Sequence, residues 1–170
     1  MESVWENLEV PIEELPQIEE VHFQKHPLRY RTYRYVLGLF WTGLPVAGTS
    51  VFAVLSEDPL AYSVPAGALL IAAFAFLAVA KGYPRRAYAL REHDLTYRRG
   101  WIFTSMTTVP FNRIQHTEVS QGPLERKFAL CTLNIYTAGG STSDLSVPGL
   151  EADEAARLRD YVARKAAQYA

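Results

Sequence analysis

Two apolar runs dominate the pattern of the chain. Val36 to Ser56 is 21 residues without a charge, Pro59 to Ala80 is 22 more, and only Glu57 and Asp58 separate them. A bilayer core of about 30 Å is crossed by about 20 apolar helical residues. The pattern predicts two transmembrane helices, about 36–56 and 59–80, joined by a very short turn within a hairpin of residues 35–81. Two buried helices of a soluble domain would be shorter and would each carry a polar face, which neither run has.

Inside the runs, Pro45 and Pro65 are each expected to remove one helical hydrogen bond, which spans tolerate when a neighbour satisfies the freed carbonyl. Gly43 with Ala47 and Ala68 with Ala72 are small residues four apart, a spacing suited to close helix contact. No Asp, Glu, Lys, Arg or His lies within either run. That argues against an intramembrane proton relay or ion site, and so against a transporter or channel built from this chain alone.

From Ala87 the pattern changes to alternation. Strands are predicted at Tyr88–Arg91, Leu95–Gly100, Trp101–Pro110, Ile114–Val119, Thr132–Thr137 and Asp144–Val147, with turns at Glu92-His93-Asp94, Gly122-Pro123 and Ala138-Gly139-Gly140-Ser141. Leu124 to Leu130 reads as a short helical turn. The last element is a helix from about Glu151 to Gln168. Acids crowd its first turn, Arg164 and Lys165 its last, and Ala155, Leu158, Val162, Ala166 and Tyr169 make one apolar stripe. The expected fold is a membrane α-hairpin followed by an α+β domain over residues 85–170: an antiparallel β-barrel or sandwich capped by a C-terminal α-helix, in the strand-then-helix order of a pleckstrin-homology (PH) barrel.

Charge adds direction. Residues 1–21 hold seven acids and no Lys or Arg, and read as a flexible acidic tail or as a segment that docks on the domain or a partner. Within the N-terminal region 1–34, Lys25, Arg29, Arg31 and Arg34 alternate with Tyr30 and Tyr33, and Tyr35 follows; Lys81, Arg85 and Arg86 follow the second run. Both flanks are basic and the turn Ser56-Glu57-Asp58-Pro59 is acidic, so the positive-inside rule places both termini in the cytoplasm. Against an apolar run the basic, tyrosine-rich segment reads as a membrane flank, and no nucleic-acid partner is expected. The acidic N-terminus and the late first run argue against a cleavable signal peptide. Cys131 is the single cysteine, which excludes a disulfide framework or thiolate metal site within one chain.

The run from Leu90 through Val162 resembles the bacterial PH-domain family of YdbS-like membrane proteins. The carrying residues are Leu90 with Gly100, then Val109-Pro110-Phe111-Asn112-Arg113-Ile114-Gln115 and Val119-Ser120-Gln121-Gly122-Pro123-Leu124-Glu125-Arg126. They continue with Leu133-Asn134-Ile135-Tyr136-Thr137-Ala138-Gly139-Gly140 and with Pro148-Gly149-Leu150. Ala129 departs from the glycine that the resemblance implies after Arg-x-Phe or Arg-x-Leu. The resemblance implies a fold and a hairpin-plus-domain layout, and it implies no reaction.

Candidate chemistry is sparse. His116 and Glu118 share one strand face, but no third partner for a metal or acid–base set is positioned by the sequence. Cys131 reads as a packed small hydrophobe, and His93 as a solvated turn residue. The Gly-Ser loop after Thr137 has no following Lys or helix, and reads as a hairpin loop more than as an anion nest. Arg113, Gln115, Gln121 and Arg126 flank a turn in the motif that carries the resemblance. The two arginines suit carboxylates or phosphates, or equally Glu118 and Glu125 as structural partners. Arg98 and Arg99 lie in the first-hairpin region where eukaryotic PH domains gather basic residues for phosphoinositides, but Glu92 and Asp94 dilute that patch. No catalytic residue, metal or cofactor is expected. The expected role is non-enzymatic: a protein-interaction or assembly component at the cytoplasmic face of the cell membrane, partnered by the bilayer and by other membrane proteins or its own copies. The alternative is binding of anionic lipid headgroups or another small anion.

Overall fold

The structure, a computed structural model, describes residues 21–56, 58–138 and 143–169. The expected acidic tail, Glu57 of the turn and residues 139–142 of the Gly-Ser loop lie outside the described residues. After a two-residue strand β1 (Gln24–Lys25) come two long helices, α1 (Leu28–Leu55) and α2 (Ser63–Gly82). Strands β2 (Ala87–Leu90), β3 (Asp94–Arg99), β4 (Ser105–Pro110) and β5 (Ile114–Ser120) follow. Then come a short helix α3 (Pro123–Lys127), strands β6 (Leu130–Thr137) and β7 (Leu145–Glu151), and the closing helix α4 (Ala152–Ala167).

Helices α1 and α2 form the hairpin. Only 6% of the most apolar window of each is buried within the protein, so these are not core helices of a soluble domain. Leu39, Phe40, Leu44, Phe52, Leu70 and Ile71 stand exposed around them, the surface that lipid would cover. Twenty residues of α1 from Val36 onward rise about 30 Å, enough for the bilayer core. The first two turns of α1 project beyond it and carry Arg29, Arg31 and Arg34. Hydroxyls within α1 bond back to their own helix: Thr42 Oγ1 to the Gly38 carbonyl (2.8 Å) and Ser50 Oγ to that of Val46 (2.7 Å).

Two details of the hairpin differ from expectation. Pro65 is the third residue of α2, in the first turn, where a missing N–H leaves no ladder bond unmade. A Cβ on Gly43 would meet only Leu39 of its own helix, so Gly43 does not mediate contact between α1 and α2. Aromatic packing contributes there instead, with Tyr35 and Phe76 stacked at 5.7 Å.

The domain consists of two antiparallel sheets, β1-β2-β3-β4 and β5-β6-β7, with α4 packed across β5, β6 and β7. Alternation sends Leu133 and Ile135 of β6 inward while Thr132, Asn134 and Tyr136 face out. These side chains join Leu95, Tyr97, Val109, Phe111, Val147 and Leu150 in one core, closed by Ala155, Leu158 and Val162 of α4. The remaining stripe positions leave the core: Tyr169 is exposed, with its hydroxyl 2.5 Å from Nδ1 of His93. At the head of α4, Glu151 and Glu154 form a reciprocal capping box.

The sheet domain begins earlier than residue 85. Strand β1 precedes the hairpin, yet pairs with β2 through Gln24↔Tyr88 and Lys25↔Ala87. The hairpin is thus inserted between the first two strands of one sheet, which brings its two outer ends together on the domain side. The expected third strand also starts late. Gly100 adopts φ +115° and residues 101–104 form a loop, so β4 begins at Ser105.

Candidate functional site

The basic flanks of the hairpin converge on a joint between α1, the end of α2 and the domain. Tyr30, in the first turn of α1, is 1% exposed and lies against Gly149, a β7 residue at a bulge with φ +76°. Arg86 Nη1 donates to the Tyr30 and Tyr97 hydroxyls at 3.4 and 3.3 Å. Tyr83, just past α2, donates its hydroxyl to the His26 carbonyl at 2.7 Å. The His26 ring is buried among Tyr30, Tyr88 and Tyr97, at centroid distances of 5.0, 6.2 and 5.8 Å. Neither of its nitrogens has a hydrogen-bond partner of normal geometry among the described residues. Burial above all lowers its pKa to about 4; the nearby Gly149 backbone opposes this and the Arg86 charge adds to it. Burial likewise raises the Tyr97 phenol.

The remaining basic residues of the flanks are dispersed. Arg85 Nη1 donates to the Trp101 carbonyl at 2.7 Å. The Arg31 guanidinium lies 5.7 Å from the Tyr35 ring centroid. Arg34 lines a crevice with Phe74, Ala78, Arg86 and the loop after Gly100. Lys25, Arg29 and Lys81 are exposed.

The six candidate contact residues do not form one site. Arg98 holds its guanidinium 4.4 Å from the Phe23 ring centroid, with Nε buried and unbonded among the described residues, while Arg99 is exposed. Gln121 has a structural role: its Nε2 donates to the Leu130 carbonyl at 2.8 Å and approaches Cys131 Sγ at 3.4 Å. Arg113, Gln115 and Arg126 are exposed. The expected pairing of the two arginines with Glu118 and Glu125 is not made. Glu118 accepts from the Tyr136 hydroxyl at 3.0 Å, and Glu125 accepts from Gly122 N–H and Thr132 Oγ1 at 2.8 and 2.9 Å. The reason is local: Glu125 is drawn inward to cap its own short helix.

His116 stacks on Tyr136 at 4.2 Å, so the shared strand face of His116 and Glu118 is organised around that ring. Among the described residues no three His, Cys, Asp or Glu side chains are placed to hold a metal ion. The Cys131 thiol is buried, and burial with the Glu125 charge raises its pKa.

One concavity was not anticipated. A cleft of about 870 Å³ runs between β2 and α4. Leu90, Leu158 and Tyr161 supply its apolar surface, and Arg157 and Arg164, seven residues apart on one helix face, supply positive charge. The Tyr88 hydroxyl lies at one end, hydrogen-bonded to Glu154 and 2.7 Å from Gln24 Oε1. Burial and the Glu154 carboxylate raise the pKa of this phenol. The seven-residue spacing was legible in the sequence, but which face of α4 stays uncovered depends on where the sheet ends.

A lipid-exposed helical hairpin joined to two antiparallel sheets and a capping helix defines a membrane-associated PH-domain protein. The family described as "Bacterial PH domain" matches residues 43–166, and the chain belongs to it. It is similar to the UPF0699 transmembrane protein YdbS of Bacillus subtilis (strain 168), with 40% identity over 79 residues. That alignment covers 46% of this chain and 48% of the relative, so the chain matches about half the length of the relative. No solved structure matches it.

Proposed function

We propose that this membrane-anchored PH-like protein is a non-enzymatic assembly module that engages a partner protein through the cleft between β2 and α4 at the cytoplasmic face. The cleft carries the reading. Strand β1 pairs with only Ala87 and Tyr88, which leaves the Ala89–Leu90 edge of β2 without a ladder partner among the described residues. An extended segment added to that edge would set alternate side chains on Leu158 and Tyr161 and its acidic groups near Arg157 and Arg164. Cytoplasmic placement is supported by the basic flanks at both outer ends of the hairpin, Lys25 to Arg34 and Lys81 to Arg86. A non-enzymatic reading is supported by what already occupies this strand face: His116 stacks on Tyr136, and Glu118 accepts from the Tyr136 hydroxyl.

The test is photocrosslinking in native membranes from Tyr161 and Leu90, each replaced by a photoreactive residue in the full chain. A protein adduct that is lost with Arg157→Glu plus Arg164→Glu supports the reading. Adducts confined to lipid or to the same molecule refute it. Topology is checked with a membrane-impermeant maleimide: a cysteine at Ser56 should react from outside and one at Lys127 should not.

A further inference from the structure

We infer that the loop between β3 and β4, Trp101-Ile102-Phe103, is a third membrane contact, which inserts into the lipid beside α2 and sets the domain against the bilayer surface. The loop is apolar where a hairpin loop is ordinarily polar. Ile102 and Phe103 are 61% and 89% exposed, while the loop backbone is tightly closed: a Cβ on Gly100 would fall 1.8 Å from the Phe103 carbonyl oxygen. The side chains are therefore presented outward by a constrained turn.

Its position supplies the occupant. The Trp101 ring lies 6.2 Å from the Phe74 ring, and the Trp101 Cβ is 3.8 Å from where a Cβ of Gly82 would stand. Gly82 is the last residue of α2, and Phe74 sits eight residues, about 12 Å, further into the span. Trp101 thus packs along the last two turns of a helix whose neighbouring Phe74 and Leu77 are themselves exposed to lipid. Exposed side chains on a loop at that depth meet the acyl–headgroup boundary rather than water. Trp is the residue type that favours that boundary. Arg85 fixes the loop through the Trp101 carbonyl, and Arg34 and Arg86 line the crevice behind it, where their charge suits lipid phosphates. Burying apolar area of this kind adds to membrane attachment in proportion to the area covered. For a protein already anchored by two spans, the consequence is orientation. The domain is pinned at a third point and cannot swing freely about its joint.

The experiment uses the full chain in phosphatidylcholine nanodiscs, with a spin label at Phe103→Cys or at Glu92→Cys in a Cys131→Ala background. Glu92 is exposed in the turn at the other end of β3, about 20 Å along the strand. The inference expects collisions with a water-soluble nickel chelate to be several-fold rarer at 103 than at 92, and collisions with oxygen to be more frequent. Equal chelate access at the two positions would overturn it. A second measurement needs no label: with Trp5 and Trp41 replaced by Phe, the remaining Trp101 fluorescence should be strongly quenched by lipids brominated along the acyl chain. Unquenched emission would likewise refute insertion. Neither readout depends on a protein partner, so this result and the cleft crosslink stand or fall separately.

Discussion

Gly149 lies directly beneath the ring of Tyr30: a Cβ added to it would sit 2.2 Å from Tyr30 Cδ2. Tyr30 belongs to the first turn of a membrane helix and Gly149 to the last strand of the domain, so this contact joins the anchor to the sheet. Gly149→Ala would combine a left-handed backbone, about 1–2 kcal/mol for a residue with a Cβ, with overpacking of about 1–3 kcal/mol. The expected outcome is a loss of roughly 3 kcal/mol, seen as a clear fall in thermal melting temperature in detergent. Gly122→Ala is the comparison. There φ is −74° and an added Cβ meets only Glu125 Oε2 at 3.5 Å, so its melting temperature should stay near that of the parent.

His26 predicts a pH dependence. Its folded pKa of about 4 lies below the ordinary 6.5, so between those values the unfolded chain binds the proton and the folded chain does not. Stability is then complete above about pH 6.5 and falls as pH drops toward 4, by at most about 3 kcal/mol. Tyr30, Tyr88, Tyr97, the Gly149 backbone and Arg86 face the ring, and none of them supplies a carboxylate that would stabilise the imidazolium. Melting temperature measured against pH should flatten over this window in His26→Phe. An unchanged slope would assign the pH dependence to other groups. Asp144 acts lower on the scale: its hydrogen bonds from Thr137 depress the carboxyl, so its contribution is complete above the usual carboxylate range and is lost as pH falls through that range and below it.

Ala129 is the one described non-glycine residue with positive φ, at +54°. The glycine that the family resemblance implies at this position would adopt that backbone conformation without strain. Ala129→Gly should stabilise the domain by about 1 kcal/mol, because relief of left-handed strain outweighs the extra chain entropy that glycine loses on folding. A melting temperature at or below the parent would show that the strain is relieved in another way.

The Tyr88–Glu154 bond ties β2 to the start of α4 and closes one end of the cleft. Tyr88→Phe should cost about 1–2 kcal/mol, since Glu154 loses a donor while keeping its place in the capping box. Guanidinium-free thermal melts in detergent measure this directly. A loss of partner crosslinking beyond that expected from the shift in stability would place Tyr88 in the binding surface as well.

Some of these features were visible before any fold was known, and others were hidden by physics that acts at long range. Leu133 and Ile135 of β6 and Ala155, Leu158 and Val162 of α4 declared their inward faces through period alone. Trp101-Ile102-Phe103 has the composition of a strand but forms a loop. Aromatic and β-branched residues favour any half-buried surface, and composition cannot say whether that surface is a sheet or a lipid boundary. Gly100 punctuates the strand pattern in the sequence, and its φ of +115° is what turns the chain out toward α2. Of the candidate contacts, Arg98 and Gln121 proved to be held by Phe23 and Leu130. Arg113 and Arg126 stayed exposed because their expected carboxylate partners were taken by nearer donors.

By itself the sequence determined the two spans, their basic flanks, the succession of strands and the closing helix. Each of these is written in residues close together along the chain, where hydrophobic period, capping and charge act locally. Tertiary structure alone decided that residues before the hairpin complete the first sheet. It also decided that His26 and Tyr30 are buried in the joint and that the loop at Trp101 packs beside the end of α2. Those facts rest on contacts such as Tyr83 with His26 and Tyr88 with Gln24, 57 and 64 residues apart. Such contacts form only when the outer ends of the two spans are brought together, and no local pattern records that meeting.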